Sequence, residues 1–236
     1  MAIVGLVGGL GPESTIDYYR RLLAAWELES PGSSPGIVID SLDVQVGLRL
    51  VAGDLPGLAA YLLASIRRLA GAGVDFVALT ANTGHIVFDE LAARSPVPLL
   101  SIVETCAAEA GRRGFRRLAL LGTRFTMEAA FYPAVMARAG IEVVAPTAEE
   151  RAWLHQCYVG ELLKGEFRED TRQGVEALVV RLRQDEGADA VVLAGTELPL
   201  LLHSAEVGGL PALDTTALHV DAIVARLRAS GTTGSA

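Results

Sequence analysis

The stretch Gly73-Val74-Asp75-Phe76-Val77-Ala78-Leu79-Thr80-Ala81-Asn82-Thr83-Gly84-His85 decides how the rest of the chain reads. A small-residue turn and an aspartate lead into an unbroken apolar run, which stops at hydroxyl and amide residues before a helical pattern begins. Apolar on both faces, such a run reads as a buried parallel strand that delivers polar groups at its C-terminal end. A second copy follows at Gly187-Ala188-Asp189-Ala190-Val191-Val192-Leu193-Ala194-Gly195-Thr196-Glu197. Asp75 corresponds to Asp189, Ala81 to Gly195, Gly8 to Gly122 and Tyr18 to Tyr132, each pair 114 positions apart. One offset at four places points to an internal duplication.

Upstream of the first copy, Ile3 to Val7 is a strand. Gly8-Gly9-Leu10-Gly11-Pro12 then turns into a helix that begins at Glu13-Ser14-Thr15. A glycine-rich turn at a helix N-terminus brings backbone N–H groups and the positive end of the helix dipole to a small carboxylate or phosphate. Dinucleotide binding is disfavoured, because the glycines at 8, 9 and 11 do not satisfy Gly-x-Gly-x-x-Gly. Ile37 to Leu42 is a second strand. The segment Asp43 to Asp54, with Gln45 and Arg49, is expected to be a mobile loop at the rim of a site. Downstream, strands are expected at Leu99–Ile102, Leu118–Leu121, Ile141–Val144 and Leu213–Asp214, with helices between them. Thr147-Ala148-Glu149-Glu150 has capping-box spacing. Lys164, just before Gly165, sits at a helix C-terminus, where a cation complements the dipole.

The composition sets limits on function. Of the 236 residues, 51% are hydrophobic, which suits a large packed core, and the formal charge of −8 comes with no basic stripe, which disfavours nucleic acid as a partner. The two cysteines, Cys106 and Cys157, fall in helical patterns and make neither a disulfide framework nor a metal cluster. His85, His155, His203 and His219 have no partner at ligand spacing, so no metal is expected. No apolar run has membrane-spanning length and no leader pattern opens the chain, so no membrane partner is expected, and the expected location is cytoplasmic.

Alternating strands and helices predict an α/β protein of two pseudo-symmetric, doubly wound, flavodoxin-like parallel-sheet lobes. The expected lobes are residues 1–103 plus 213–228 and residues 104–212, with 229–236 as a flexible tail. Ligands of open α/β sheets bind at the carboxyl ends of strands, so the site is expected in the cleft between the lobes. Gly8, Ala81, Gly122 and Gly195 would line it, their small size leaving room for substrate.

Four blocks carry a family resemblance: Gly8-Gly9-Leu10-Gly11-Pro12-Glu13-Ser14-Thr15, Ala81-Asn82-Thr83-Gly84-His85, Leu121-Gly122-Thr123-Arg124-Phe125-Thr126-Met127 and Gly195-Thr196-Glu197-Leu198-Pro199-Leu200-Leu201. In order and spacing they resemble the signature blocks of the aspartate/glutamate racemase superfamily, the amino-acid racemases that work without pyridoxal phosphate. The resemblance implies a cofactor-free reaction at the α-carbon of a small acidic amino acid, with one thiol on each face as acid and base. It implies a homodimer, and it makes Asn82, Thr83, Thr123, Thr126, Thr196 and Lys164 substrate-binding residues, with Gly8 in the first turn and Arg49 as a complement to Lys164.

The sequence departs from that pattern where the chemistry sits. Ala81 and Gly195 stand at the two positions of the family thiols, and Cys106 and Cys157 match neither. Three readings follow. The chain is an enzyme on a small amino or dicarboxylic acid that uses Glu197, His85, Asp43, or the paired Tyr18 and Tyr132 instead, with chemistry diverged toward a lyase, hydrolase or cyclase. Alternatively it is a non-catalytic carboxylate binder, or a racemase whose cysteines were removed by mutation.

Overall fold

The computed structural model of the protein describes residues 2–231. Its elements begin with β1 (Ile3–Gly8), α1 (Pro12–Glu29), β2 (Gly36–Ser41), α2 (Val44–Val51), α3 (Leu55–Gly71) and β3 (Phe76–Leu79). A 3-10 turn (Thr83–Val87), α4 (Phe88–Arg94), β4 (Leu99–Leu100), α5 (Ile102–Arg112), β5 (Arg117–Gly122), α6 (Arg124–Glu128) and α7 (Phe131–Arg138) follow. Next come β6 (Glu142–Val144), α8 (Ala148–Gly160), a 3-10 turn (Leu162–Lys164), α9 (Glu169–Glu186) and β7 (Ala190–Ala194). The chain ends with α10 (Leu198–Leu202), β8 (Glu206–Val207), β9 (Leu210–Asp214) and α11 (Thr215–Gly231). It divides into two compact units, one holding residues up to Ile102 and from His219 onward, the other Val103–Leu218.

The first unit is a parallel sheet of order β2-β1-β3-β4. Its core follows from the apolar runs: Val4, Leu6, Phe76 and Ala78 meet Tyr18, Leu22 and Trp26 of α1 and Val220, Ile223 and Leu227 of α11. The other face is covered by α3, whose Leu62, Ile66 and Leu69 are buried at helical spacing. Asp75 explains why an aspartate precedes the strand. Its carboxylate accepts the Ile3 N–H at 2.7 Å and its own N–H donates to Ile3 O at 2.8 Å, fixing the register of β3 against β1.

The second unit is a sheet of order β6-β5-β7-β9-β8, parallel except for the edge strand β8, which is antiparallel to β9. Leu154 and Tyr158 of α8 and Val175, Leu178 and Leu182 of α9 pack with Val191 and Leu193 of β7. Asp189 does here what Asp75 does in the first unit, accepting the Arg116 and Arg117 N–H groups at 2.7 and 3.2 Å. β5 and β7 begin 114 positions after β1 and β3, so the offset read from the sequence survives in the strands and in the aspartate that aligns each pair. The Thr147–Glu150 capping box is formed at the start of α8, and Arg181 of α9 holds the Glu150 carboxylate through two bonds of 2.6 Å.

Several expectations change. Asp43 to Asp54 is not a loop: Asp43 caps α2 by accepting the Gln45 N–H at 2.7 Å, and Asp54 caps α3. Leu213 and Asp214, expected in the first unit, lie in β9, which is hydrogen-bonded to β7 of the second. The expected tail at 229–236 is helical through Gly231, and residues 232–236 lie outside the described residues. Among the described residues no helix is long and apolar enough to cross a membrane.

Candidate active site

In each unit one strand order reverses at a fixed place. From β1 the chain moves outward to β2 and then returns to β3 on the other side, and β5, β6 and β7 repeat that path. In open α/β sheets generally, such diverging connections are where ligands bind, at the carboxyl ends of the strands. Of the residues picked out from the sequence, Gly8, Ala81, Asn82, Thr83, Gly122, Thr123, Gly195, Thr196 and Glu197 stand at or just past the ends of β1, β3, β5 and β7, whereas Asp43, Arg49, Lys164, Tyr18 and Tyr132 lie elsewhere.

In the first unit, Gly8 ends β1, and Ala81, Asn82 and Thr83 follow β3 directly. Asn82 is buried, and the Thr80 hydroxyl donates to Val7 O at 3.1 Å, tying the two strand ends together. Gly9 holds a left-handed φ of +79°, and a Cβ on it would strike the Leu42 backbone, so only glycine turns the chain here. The N–H of Gly9 donates to Thr15 Oγ1 at 2.9 Å, so this amide of the glycine-rich turn is engaged within the protein. Asp43 is exposed and spends its carboxylate on the helix cap, and Arg49 is exposed in the last turn of α2.

His85 is buried and stacked on Phe88 with the ring centroids 4.9 Å apart. Its Nδ1–H donates to Ala81 O at 3.0 Å, and its Nε2 accepts the Ile102 N–H at 3.3 Å. Burial drives its pKa down to about 4 against the opposing pull of the Ala81 and Asn82 carbonyls. Both ring nitrogens of this neutral imidazole are committed to backbone, so it braces the Ala81 turn. Tyr18 and Tyr132 are fully buried core residues of α1 and α7, and the Tyr18 hydroxyl donates to His219 Nδ1 at 3.0 Å.

In the second unit, Thr123 caps α6, its hydroxyl accepting the Thr126 N–H at 3.3 Å and lying 3.2 Å from Thr126 Oγ1. Past the end of β7 stand Gly195, Thr196 and Glu197, all buried. The Glu197 carboxylate accepts bonds from the Tyr158 hydroxyl and, at 3.2 Å, from the Thr196 hydroxyl, while the Glu197 N–H donates to the Tyr158 oxygen at 3.3 Å. Burial, followed by the neighbouring Glu197, pushes the Tyr158 phenol well above its ordinary value, so it is protonated at neutral pH. Lys164 is exposed in the turn after α8.

The expectation that small residues leave room for substrate fails at three of the glycines. A Cβ at Gly8 would lie 2.7 Å from Thr15 Cγ2, one at Gly122 would lie 2.5 Å from Ala194 O, and one at Gly195 would lie 2.5 Å from Tyr158 Cε2. The glycines admit neighbouring protein atoms. Tyr158 itself was not singled out by the sequence reading. The available signal was its position four residues after Leu154, which turns both side chains to the buried face of α8.

The two thiols of the chain stand apart from this chemistry. Cys106 is buried in α5, where burial and then Glu109 push it up to about 12, and Cys157 of α8 is also raised, by burial and then Glu161. A thiol raised in this way is not a thiolate at neutral pH. Among the described residues no group of three or more His, Cys, Asp or Glu could hold a metal ion.

The model of the Asp/Glu/hydantoin racemase family matches residues 7–223. The chain belongs to that family. It is 26% identical over 224 residues to the broad-specificity amino-acid racemase RacX of Bacillus subtilis, spanning 91% of this chain and 93% of RacX. The crystal structure of a putative Asp/Glu racemase from Yersinia pestis is similar with a TM-score of 0.85 and 32% identity, covering 97% of this chain and all of that one. An aspartate racemase homologue from Pyrococcus horikoshii matches with a TM-score of 0.80 and 31% identity, again over 97% of this chain and all of its own. The two-sheet α/β architecture is therefore the family's. Within it, the C-terminal ends of β3 and β7 of this racemase-family chain carry Ala81 and Gly195.

Proposed function

We propose that the protein is a cofactor-free enzyme acting at the α-carbon of a small amino or dicarboxylic acid, with proton transfer carried by groups other than thiols. The supporting observation is the set of buried polar residues at the two strand reversals: Asn82 after β3, Thr123 and Thr126 after β5, and Thr196 and Glu197 after β7. Clustering such groups where open sheets bind ligands fits the retention of a carboxylate clamp. Lys164, and Arg49 beside it in function, are proposed for a distal carboxylate.

Position 195 argues against the reading in which a racemase lost its cysteines by isolated substitution. Such a loss would leave a hollow, whereas the Tyr158 ring fills the place of the side chain. A homodimer in the cytoplasm is the form in which we propose that it acts. The test is incubation with L- and D-aspartate and L- and D-glutamate in D₂O without added cofactor, followed by proton NMR. Loss of the α-proton signal is the expected result, and its persistence with all four acids would remove the proposal.

A further inference from the structure

We propose that Tyr158 and Glu197 together form the proton carrier of the second unit, with the Tyr158 hydroxyl standing where the family resemblance sets the second thiol. The inference rests on the reading above and names the group that does its chemistry.

The geometry begins at Gly195. A Cβ there would lie 2.8 Å from the Tyr158 hydroxyl oxygen and 2.5 Å from Cε2. A cysteine sulfur would sit one bond beyond that Cβ, so the phenol oxygen occupies the neighbourhood of the absent sulfur. A residue with a side chain at 195 and a tyrosine at 158 exclude one another. The oxygen is also furnished with polar partners. It donates its hydrogen to Glu197 Oε2 and accepts the Glu197 N–H at 3.3 Å, and the Thr196 hydroxyl is a second side-chain partner beside it. The Thr196 hydroxyl holds the same Oε2 at 3.2 Å. Tyr158 is 3% exposed and Glu197 1%, so the pair is buried.

Alone, a protonated phenol is a poor base. With a carboxylate on its hydrogen it becomes a relay. With the single Thr196 hydroxyl hydrogen directed to Glu197 Oε2, the substrate Cα–H bond breaks, its proton forms a new O–H bond on the Tyr158 oxygen, and the proton that the phenol carried passes to Glu197. The electron pair of the broken bond stays on the substrate and spreads into its α-carboxylate. Glu197 ends neutral, Tyr158 ends unchanged, and the reverse sequence delivers a proton to the same face. No oxidant, metal or second substrate enters the balance. The Glu197 N–H steadies negative charge on the phenol oxygen while both protons are in flight.

The experiment compares the unsubstituted protein, Tyr158→Phe and Glu197→Gln for α-hydrogen exchange of L- and D-aspartate in D₂O. Phenylalanine keeps the ring that fills position 195 and removes only the oxygen. For the enantiomer served from this face, both variants are expected to lose about 100-fold or more in kcat with KM changed by less than about threefold, the pattern of a lost acid–base group. Thermal melts of all three proteins accompany the rates, and because the two variants alter different elements, either one that folds suffices. Exchange at the unsubstituted rate in either folded variant would overturn the relay and leave the proposed enzyme standing. A fall confined to KM would also overturn it, since it would make the pair a binding contact. Absence of exchange in the unsubstituted protein would remove the enzyme reading and the relay with it.

Discussion

At the scale of single residues the chain turns on Gly195. Glycine there is a packing requirement, since Tyr158 takes the volume that any side chain would need. Restoring a thiol by Gly195→Cys alone should therefore cost about 1–3 kcal/mol of stability through overpacking. In a Tyr158→Leu background the smaller neighbour should relieve most of that cost, giving a positive coupling in a double-mutant cycle read by urea denaturation. Equal costs in both backgrounds would show that the ring is not what forbids the side chain. This contact was not legible in the sequence. Gly195 and Tyr158 are 37 positions apart, and the periodicity of α8 shows only that Tyr158 faces inward, not what it meets. That neither position 81 nor position 195 is a cysteine, in contrast, was legible at once, being a matter of residue identity at two strand ends.

At the scale of elements, buried histidines fasten the first unit. His219 of α11 donates from Nε2 to Leu100 O of β4 at 3.2 Å and accepts the Tyr18 hydroxyl of α1 on Nδ1. His85 joins the turn after β3 to the start of α5. Burial is the main cause that lowers both, His85 to about 4 and His219 to about 3, the latter helped by repulsion from His85. In the unfolded chain they take up protons near pH 6.5, whereas in the folded chain they resist until pH 4 or below. Between those limits the unfolded state binds more protons, so stability falls as the pH drops below about 6.5, by up to about 1.4 kcal/mol per pH unit for each histidine. Urea midpoints measured from pH 7.5 down to pH 5 should shift accordingly, and His219→Gln should remove about half of the slope. A midpoint independent of pH across that range would contradict the neutral, buried assignment of both rings.

Elements were legible to different degrees, for reasons visible in particular residues. β3 and β7 announce themselves because both faces are buried and the runs are apolar throughout. The helix α2 was hidden: it is short, Gly47 and the polar Gln45 and Arg49 interrupt its pattern, and its cap Asp43 reads as an ordinary loop residue. The edge strand β8 has two residues and joins β9 through Gly208 and Gly209, both at positive φ, too little sequence to carry a strand pattern of its own.

On the scale of the whole molecule, the family's architecture is present, and Ala81 and Gly195 stand at the two strand ends where the sequence resemblance sets thiols. Each unit presents polar residues at the reversal of its strand order, and in neither is a cysteine within them. The two-sheet plan was foreseen because the same strand-to-helix motif recurs at a fixed offset, and duplication makes one reading serve twice. The Tyr158–Glu197 pair proposed in place of thiols could not be foreseen, since it depends on side chains that converge only after folding. The central claim is that α-carbon chemistry proceeds here without a thiol. The most direct measurement is α-hydrogen exchange of L- and D-aspartate in D₂O by the doubly substituted Cys106→Ala, Cys157→Ala protein, set beside the unsubstituted chain. The account predicts exchange at the same rate by both; loss of exchange with the two cysteines, or no exchange by either protein, would contradict it.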